Sequence, residues 1–175
     1  PARATPSHSA AAAKPAPATP SPSSAPATVA PVGGLSTAQM GYAKTIVDVG
    51  RRLGLPRQAY VIAIATALQE SRLLNLANWG SAESLGLRHD GVGGDYDSVG
   101  LFQQRPSSGW GTVAQLMDPA TSARKFYQAL MQVAGWQRMP VTVAAQTVQG
   151  SAFPDAYAQH EYLANLVVNA LDATG

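Results

Sequence analysis

The apolar positions follow a helical period over most of the chain. Ser36 or Thr37 can cap a first helix whose apolar side chains share one face, and Gly54 ends it. Pro56 opens a second helix that is apolar nearly all round from residue 59 to residue 68. A helix without a polar face belongs in the middle of a domain, so we expect the second helix to be central and buried.

Three further helices follow a long irregular stretch. Asp118 and Pro119 begin one, residues 141–149 form the next, and the last runs from about residue 157 to residue 171. Residues 75–99 are rich in glycine and lack regular apolar spacing, which predicts a long loop or a small hairpin. The whole pattern predicts a single, mostly α-helical domain.

The first 34 residues differ in composition from the rest of the chain. They hold eight of the 13 prolines, are otherwise mostly small residues, and have few large apolar side chains. Such a segment buries too little surface to offset the entropy lost on ordering it. We therefore predict a disordered linker or stalk over residues 1–34 and a folded domain over residues 35–175. Because the chain begins at Pro1, we expect a membrane anchor or a further domain upstream.

Composition narrows the classes of function. There is no cysteine, which excludes disulfides, thiolate zinc sites and cysteine nucleophiles. The 12 Lys and Arg residues are scattered and the formal net charge is only +2, so we expect no nucleic-acid partner. His89 and His160 belong to no metal or nucleophile motif, and no glycine-rich phosphate loop occurs. We expect neither a metal nor a cofactor.

Glu70 is the first candidate for chemistry. It stands near the carboxyl end of the apolar second helix. Apolar packing and the negative end of the helix dipole both disfavour the carboxylate anion, so both raise the pKa of this group. A carboxyl that stays protonated near neutral pH is what a general acid needs. The alternative is an ordinary glutamate that reaches solvent from the end of a helix.

The acidic loop that contains Asp95 and Asp97 is the second candidate. Either residue could place a second carboxylate opposite Glu70, as hydrolytic glycosidases often need. Their oxygens, with that of Ser98, could also bind a hard cation, although the spacing is not that of an EF-hand. A solvated glycine-rich loop without a ligand is the plainer interpretation.

A set of amide and aromatic side chains is the third candidate. Neutral amides pair with the hydroxyl and acetamido groups of sugars, and aromatic rings cover the apolar faces of sugars. Gln146 and Gln149 are three residues apart, which puts them on one helix face. For the aromatic members the alternative is core packing. The set consists of Phe102, Gln103, Gln104, Trp110, Gln146, Gln149, Ser151 and Tyr157.

Short segments in a fixed order resemble a known family. The sequence QES at residues 69–71 ends an apolar helix, and GLFQ follows at residues 100–103. This order resembles the motifs of soluble lytic transglycosylases and related lysozyme-like domains. Over about residues 35–165 the chain looks like a lysozyme-like domain of actinobacterial secreted cell-wall proteins. The segments that carry this likeness are ATALQESRLLNLAN, SVGLFQQRPSSGWGT and AAQTVQGSAFPDAY.

The resemblance implies a mostly α, α+β lysozyme-like fold with a groove for the glycan strand of peptidoglycan. Glu70 matches the catalytic acid, which in lytic transglycosylases protonates the leaving oxygen and then takes a proton from the 6-hydroxyl of N-acetylmuramic acid. Ser71 matches the serine beside the acid, which orients that acid or touches the acetamido group of the substrate, and Gln103 matches a groove-lining glutamine. We accordingly expect a monomer that is secreted or tethered outside the membrane, at the cell wall, with peptidoglycan glycan strands as its partner.

Two departures from the family pattern keep other functions open. The usual A-A-Y-N-A-G motif is at best AAQTVQG here, with Gln146 and Thr147 in place of Tyr-Asn, and Tyr157 is a candidate for the missing phenol. The long acidic loop leaves room for a hydrolytic lysozyme that uses Asp95 or Asp97. The lost Tyr-Asn pair would also fit a non-catalytic domain that binds glycan or serves as a scaffold in a wall or secretion assembly.

Overall fold

A computed structural model describes residues 29–150, 153 and 155–174. This part of the chain is mostly helical, as predicted. Within these residues no helix is both long and apolar enough to cross a membrane. The α-helices are α1 (Thr37–Arg52), α2 (Arg57–Ser71), α3 (Ala82–Leu85), α4 (Val113–Met117), α5 (Pro119–Gln132), α6 (Val141–Gln149) and α7 (Glu161–Asp172).

The start of α1 is where the sequence predicts it. The Ser36 hydroxyl accepts a hydrogen bond from the Gln39 backbone N–H at 3.2 Å, and the Gln39 side chain accepts one from the Ser36 N–H at 2.8 Å. This reciprocal pair satisfies two donors at the helix start. The Gln39 Nε2 also donates to the Arg72 carbonyl at 2.7 Å, which joins the start of α1 to the end of α2.

The central element is α2. Every residue from 59 to 68 is buried, and the helix packs against α1, α5, α6 and α7. Directly after the helix, Arg72 and Leu73 both adopt left-handed backbone angles, with φ of 57° and 58°. These two residues turn the chain sharply, so that the last turn of α2, with Glu70, remains at the edge of the core.

The irregular stretch of residues 75–99 contains a two-stranded sheet. The strands β1 (Leu76–Asn78) and β2 (Gly91–Gly93) run parallel, and α3 lies in the connection between them. The prediction of a small hairpin is therefore wrong, because the strands of a hairpin are antiparallel. Three-residue strands carry too little alternation in the sequence to reveal their direction.

Two buried asparagines fix this stretch in place. The Asn78 Nδ2 donates to the carbonyls of Tyr96 and Ser98 at 3.1 Å each. The Asn75 Nδ2 donates to the Met117 carbonyl at 2.9 Å. Because side-chain amides hold backbone groups here, the acidic loop has a defined position in spite of its glycines.

The packed part of the chain begins before the predicted boundary at Leu35. Val29 is buried, Val32 packs against the same core, and Gly33 approaches Leu163 of α7 so closely that a Cβ there would overlap its side chain. Residues 29–34 therefore belong with the folded domain rather than with the linker. The predicted disorder of residues 1–28 and the candidate residue Ser151 both lie outside the described residues.

Candidate active site

An open groove of about 800 Å³ lies at the carboxyl end of α2. Its walls come from the acidic loop, from residues 103–110, from the end of α6 and from the chain that leads into α7. These segments are far apart in sequence, and the fold brings them to one place. The predicted site residues that line the groove are Glu70, Asp95, Gln103, Gln149 and Tyr157, together with Trp110.

Glu70 is half-buried in the wall of the groove, in the last turn of α2. The Tyr157 hydroxyl donates a hydrogen bond to Glu70 Oε1 at 2.7 Å. Gln149 makes a second side-chain hydrogen bond with the same carboxyl. Tyr157 is only 1% exposed, so its hydroxyl is held in a fixed position relative to the acid.

The pKa of Glu70 is raised above its ordinary value. Burial is the largest cause, because it disfavours the charged form, and the negative charge of Asp95 acts in the same direction. The hydrogen bonds from Tyr157 and Gln149 favour the carboxylate and oppose the rise without cancelling it. The direction agrees with the sequence prediction, and the result is an acid that keeps its proton to higher pH than an exposed glutamate.

Ser71 faces the interior instead of the groove. It is buried, and its hydroxyl reaches the Leu101 carbonyl at 2.7 Å and the Ala67 carbonyl at 3.1 Å. Ser71 therefore joins the end of α2 to the segment that contains Gln103. Of the two roles that the resemblance implies for Ser71, this buried position fits orienting the acid and does not fit contact with substrate.

Phe102 and Gln104, both predicted to bind substrate, also lie inside the protein. The Phe102 ring is fully buried and stacks on Phe126 with ring centroids 4.7 Å apart. Gln104 is 2% exposed, and its Nε2 donates to the Ser122 carbonyl at 3.3 Å. The two side chains anchor the segment, and Gln103 between them is the one that lines the groove.

The conformation of Gln103 explains how it reaches the groove. Its φ of 46° is left-handed, and its Nε2 donates to the Gly100 carbonyl at 2.9 Å. Gly100 has a φ of 78°, and a Cβ at this position would overlap the Leu116 carbonyl oxygen. Only glycine fits such a close approach of two backbones, so the first residue of GLFQ shapes the turn that presents Gln103.

The two glutamines of α6 have different positions. Gln149 lines the groove, contacts Glu70 and donates from its Nε2 to the Phe102 carbonyl at 2.8 Å. Gln146 lies one turn earlier, is half-buried and is not part of the groove lining. Of the two glutamines predicted to bind substrate, Gln149 lies in the groove and Gln146 lies outside it.

Of the two candidate second carboxylates, only Asp95 lines the groove. The Asp97 carboxylate accepts hydrogen bonds from Arg105 Nε at 2.8 Å, from the Ser107 N–H at 2.7 Å and from the Ser107 hydroxyl at 2.9 Å. The Arg105 guanidinium and these hydrogen bonds hold the pKa of Asp97 well below its usual range. Asp97 therefore fastens the acidic loop to the next turn of chain.

Tyr96 and Arg105 are groove residues that the sequence analysis did not single out. Tyr96 is 74% exposed with a φ of 49°, and the Arg105 guanidinium carbon lies 4.3 Å from the centre of its ring. Such a cation–π contact holds an exposed ring in place. The only signal in the sequence was a tyrosine between two aspartates, which does not indicate a left-handed backbone.

A separate cavity of about 580 Å³ lies between α1 and the junction of α4 with α5. The Tyr42 hydroxyl is hydrogen-bonded to Asp90 in its wall, and burial raises the pKa of Tyr42 to about 12. None of the predicted site residues lines this cavity, and it does not touch Glu70. Among the described residues no cluster of His, Asp and Glu could hold a metal ion.

Comparison with known proteins gives no independent assignment of the site. The chain matches no model of a known protein family. A search of the curated proteins finds no match either. The chemistry of the groove therefore rests on its own residues.

Proposed function

We propose that the protein has a lysozyme-like fold and cleaves the glycan strand of peptidoglycan, at the bond between N-acetylmuramic acid and N-acetylglucosamine. The observation that supports this most directly is the state of Glu70. Its pKa is raised, and Tyr157 and Gln149 hold it in an open groove lined by neutral amides. A carboxyl that keeps its proton is suited to protonate a glycosidic oxygen.

The proposed reaction is a lytic transglycosylation with Glu70 as the single acid and base. Glu70 gives its proton to the glycosidic oxygen while the bond from that oxygen to C1 of N-acetylmuramic acid breaks. The Glu70 carboxylate then removes the proton of the 6-hydroxyl of the same sugar. The 6-oxygen bonds to C1 and closes a 1,6-anhydro ring, and Glu70 is protonated again.

Tyr157 and Gln149 support the second half of this cycle. Both donate to the Glu70 carboxyl, so both stabilise the anion that exists between the two proton transfers. The phenol of Tyr157 is also the group that the AAQTVQG segment lacks relative to the family motif. Tyr157 comes from a later part of the chain, and in our proposal it takes over that role.

Peptidoglycan lies outside the cytoplasmic membrane, so the proposal includes a location at the cell wall, by secretion or by a tether. This part rests on the resemblance of the motifs alone. The sugar backbone is neutral and polar, and Gln103 and Gln149 offer it neutral amides in the groove. No step of the proposed reaction calls for a metal or a cofactor.

The position of Asp95 favours a second candidate, hydrolysis with water as the acceptor. Asp95 lines the same groove and its charge acts on Glu70. A second carboxylate across the bond from the acid could orient an attacking water. Asp97 is not a candidate for this role in our proposal, because its carboxylate is occupied by Arg105 and Ser107.

The test is a digest of purified actinobacterial peptidoglycan, with the released fragments identified by mass spectrometry. Wild type is compared with Glu70→Gln, and Glu83→Gln serves as the matched control because Glu83 is exposed on α3, away from the groove. We expect fragments that end in 1,6-anhydro-muramic acid from wild type and from Glu83→Gln, and none from Glu70→Gln.

Fragments with reducing ends would replace transglycosylation by hydrolysis, and their loss in Asp95→Asn would then assign Asp95 as the second carboxylate. Binding of glycan strands without any released fragment, from walls of several sources and across pH, would leave the protein as a glycan-binding or scaffold domain. Equal release by wild type and Glu70→Gln would remove Glu70 from the mechanism.

A further inference from the structure

The groove continues past Trp110 into a second depression of about 380 Å³. The two cavities share Ser108 and Trp110 as a common wall. The second depression is bordered on its far side by α5, which contributes Lys125, Gln128 and Ala129. A polymer bound along Glu70 could therefore place a branch around Trp110 and against α5.

The end of the Lys125 side chain lies close to the backbone at Gly111. The chain passes so near at Gly111 that a Cβ would lie 2.8 Å from the Lys125 Cε and 2.9 Å from its Nζ. The φ of Gly111 is 149°, which L side chains rarely adopt, so glycine is needed for this passage. The missing side chain leaves room for the half-buried lysine to lie along the depression.

The charge of Lys125 is available to a ligand. In the part of the chain that the structure describes, Lys125 takes part in none of the ion pairs. Arg105, the cation in the main groove, is already paired with Asp97 at 2.8 Å and lies over the Tyr96 ring. A negative group on the substrate would therefore find its partner at Lys125.

We propose that Lys125 binds a carboxylate of the peptide that branches from the glycan strand, so that the groove selects peptide-bearing strands. This inference rests on the proposed function. The sugar backbone is neutral, whereas the peptide attached to muramic acid carries free carboxylates. A charge-assisted hydrogen bond from the ammonium group holds such a carboxylate, and Trp110 separates the peptide from the sugar.

The test compares two substrates that differ only in the branch: peptidoglycan strands with their peptides, and the same strands after an amidase has removed them. The kcat/KM of full-length wild type and Lys125→Met is measured on both. We expect Lys125→Met to lower kcat/KM about tenfold on peptide-bearing strands and by less than about twofold on bare strands. Lys125→Arg keeps the charge and should retain most of the activity.

Arg124→Met is the matched control, because Arg124 is exposed on the same helix and borders neither cavity. It should leave both substrates unaffected. Raising the salt concentration should reduce the wild-type preference for peptide-bearing strands, since an open ion pair is screened. Equal losses on the two substrates in Lys125→Met, or a similar loss in Arg124→Met, would overturn the inference.

A wild-type protein that cleaves neither substrate would contradict the proposed function. A binding measurement would then show whether Lys125 recognises the peptide branch. Calorimetric titration of both strand types into wild type and Lys125→Met gives the answer. Weaker binding of peptide-bearing strands alone by Lys125→Met supports the role of Lys125. Unchanged binding of both strand types overturns it.

Discussion

Opposing influences act on the single carboxyl of Glu70. Burial and the charge of Asp95 raise its pKa, whereas hydrogen bonds from Tyr157 and Gln149 lower it. An acid that must first give and then take a proton needs both kinds of neighbour, because neither protonation state should be too stable. The balance at this residue is therefore the property that variants can shift in either direction.

Replacing Tyr157 by phenylalanine removes a donor that stabilises the anion. The pKa of Glu70 should rise further, so the alkaline limb of the pH profile of kcat/KM should move to higher pH. The maximal rate should fall about tenfold, because the carboxylate formed midway loses a charge-assisted hydrogen bond. Asp95→Asn should move the same limb to lower pH, and shifts of equal sign in the two variants would contradict this account.

The raised pKa of Glu70 also makes stability depend on pH. The folded protein binds this proton more tightly than the unfolded chain, so the stabilising contribution is complete below the ordinary pKa of 4.5 and is lost as pH rises through the folded value. Glu70→Gln replaces the carboxyl by an amide, which does not ionise between pH 4 and pH 8. We expect its melting temperature to exceed that of wild type at pH 8, and the difference to shrink at pH 4.

The sequence alone does not show which residues of a motif face the groove. Ser71, Phe102 and Gln104 stand beside Glu70 and Gln103 in the motifs, and all three lie inside the protein. Consecutive residues point in different directions, so a contiguous motif contributes some side chains to the site and others to the core. Glu70 was predictable because its own helix is apolar, and that pattern is visible in the sequence.

At the scale of elements, the set of contacts that residues 101–104 make with α2, α5 and α6 determines the geometry of the groove. It consists of two hydrogen bonds and one ring stack. The Ser71 hydroxyl donates to the Leu101 carbonyl, the Gln149 amide donates to the Phe102 carbonyl, and the Phe102 ring stacks on Phe126. Each of these contacts is made to a backbone carbonyl or to a buried ring, so residues 101–104 are held in a fixed position relative to the three helices.

Ser71→Ala tests this contact. The variant leaves the buried Leu101 carbonyl without its side-chain donor, so we expect the free energy of unfolding to fall by about 2 kcal/mol and kcat to fall as Gln103 shifts. Thr66→Val is the control, because the Thr66 hydroxyl bonds within α2, to the Ile62 carbonyl at 2.7 Å. It should leave kcat unchanged. A raised KM with unchanged stability in Ser71→Ala would instead indicate direct contact with substrate.

Helices were easier to predict than the path of the chain between them. The bounds of α6 agree with the prediction residue for residue, because Pro140 and Gly150 mark its two ends. Asn75 precedes β1 and Asn78 ends it, and their side chains bind backbone groups far along the chain. Long-range bonds of this kind leave no periodic trace in a sequence.

At the scale of the whole molecule, the groove is assembled on a core that extends to the first described residue. Val29 and Val32 cover part of this core, although their surroundings in the sequence are rich in proline and alanine. Composition is averaged over a window, so two apolar residues at the end of a proline-rich segment were assigned with the segment. Their packing makes residues 29–34 part of the domain.

Val29→Ala should therefore destabilise the protein by about 1 kcal/mol, since it removes buried methyl groups at the edge of the core. The melting temperature should fall by roughly 3 °C. Val143→Ala is the matched control because Val143 is 41% exposed on α6, and it should change stability little. Equal stability of Val29→Ala and wild type would restore the boundary at Leu35.

The hydrogen bond from Tyr157 to Glu70 spans 87 residues, and this separation sets the order in which the parts of the groove are synthesised. At roughly 5 to 20 residues per second, α2 leaves the ribosome several seconds before Tyr157 is made. During that interval Glu70 lacks both its phenol and the packing of α6 and α7. A chain that stops before Tyr157 thus carries Glu70 without the neighbours that adjust its pKa, and the groove is complete only once α6 and Tyr157 are present.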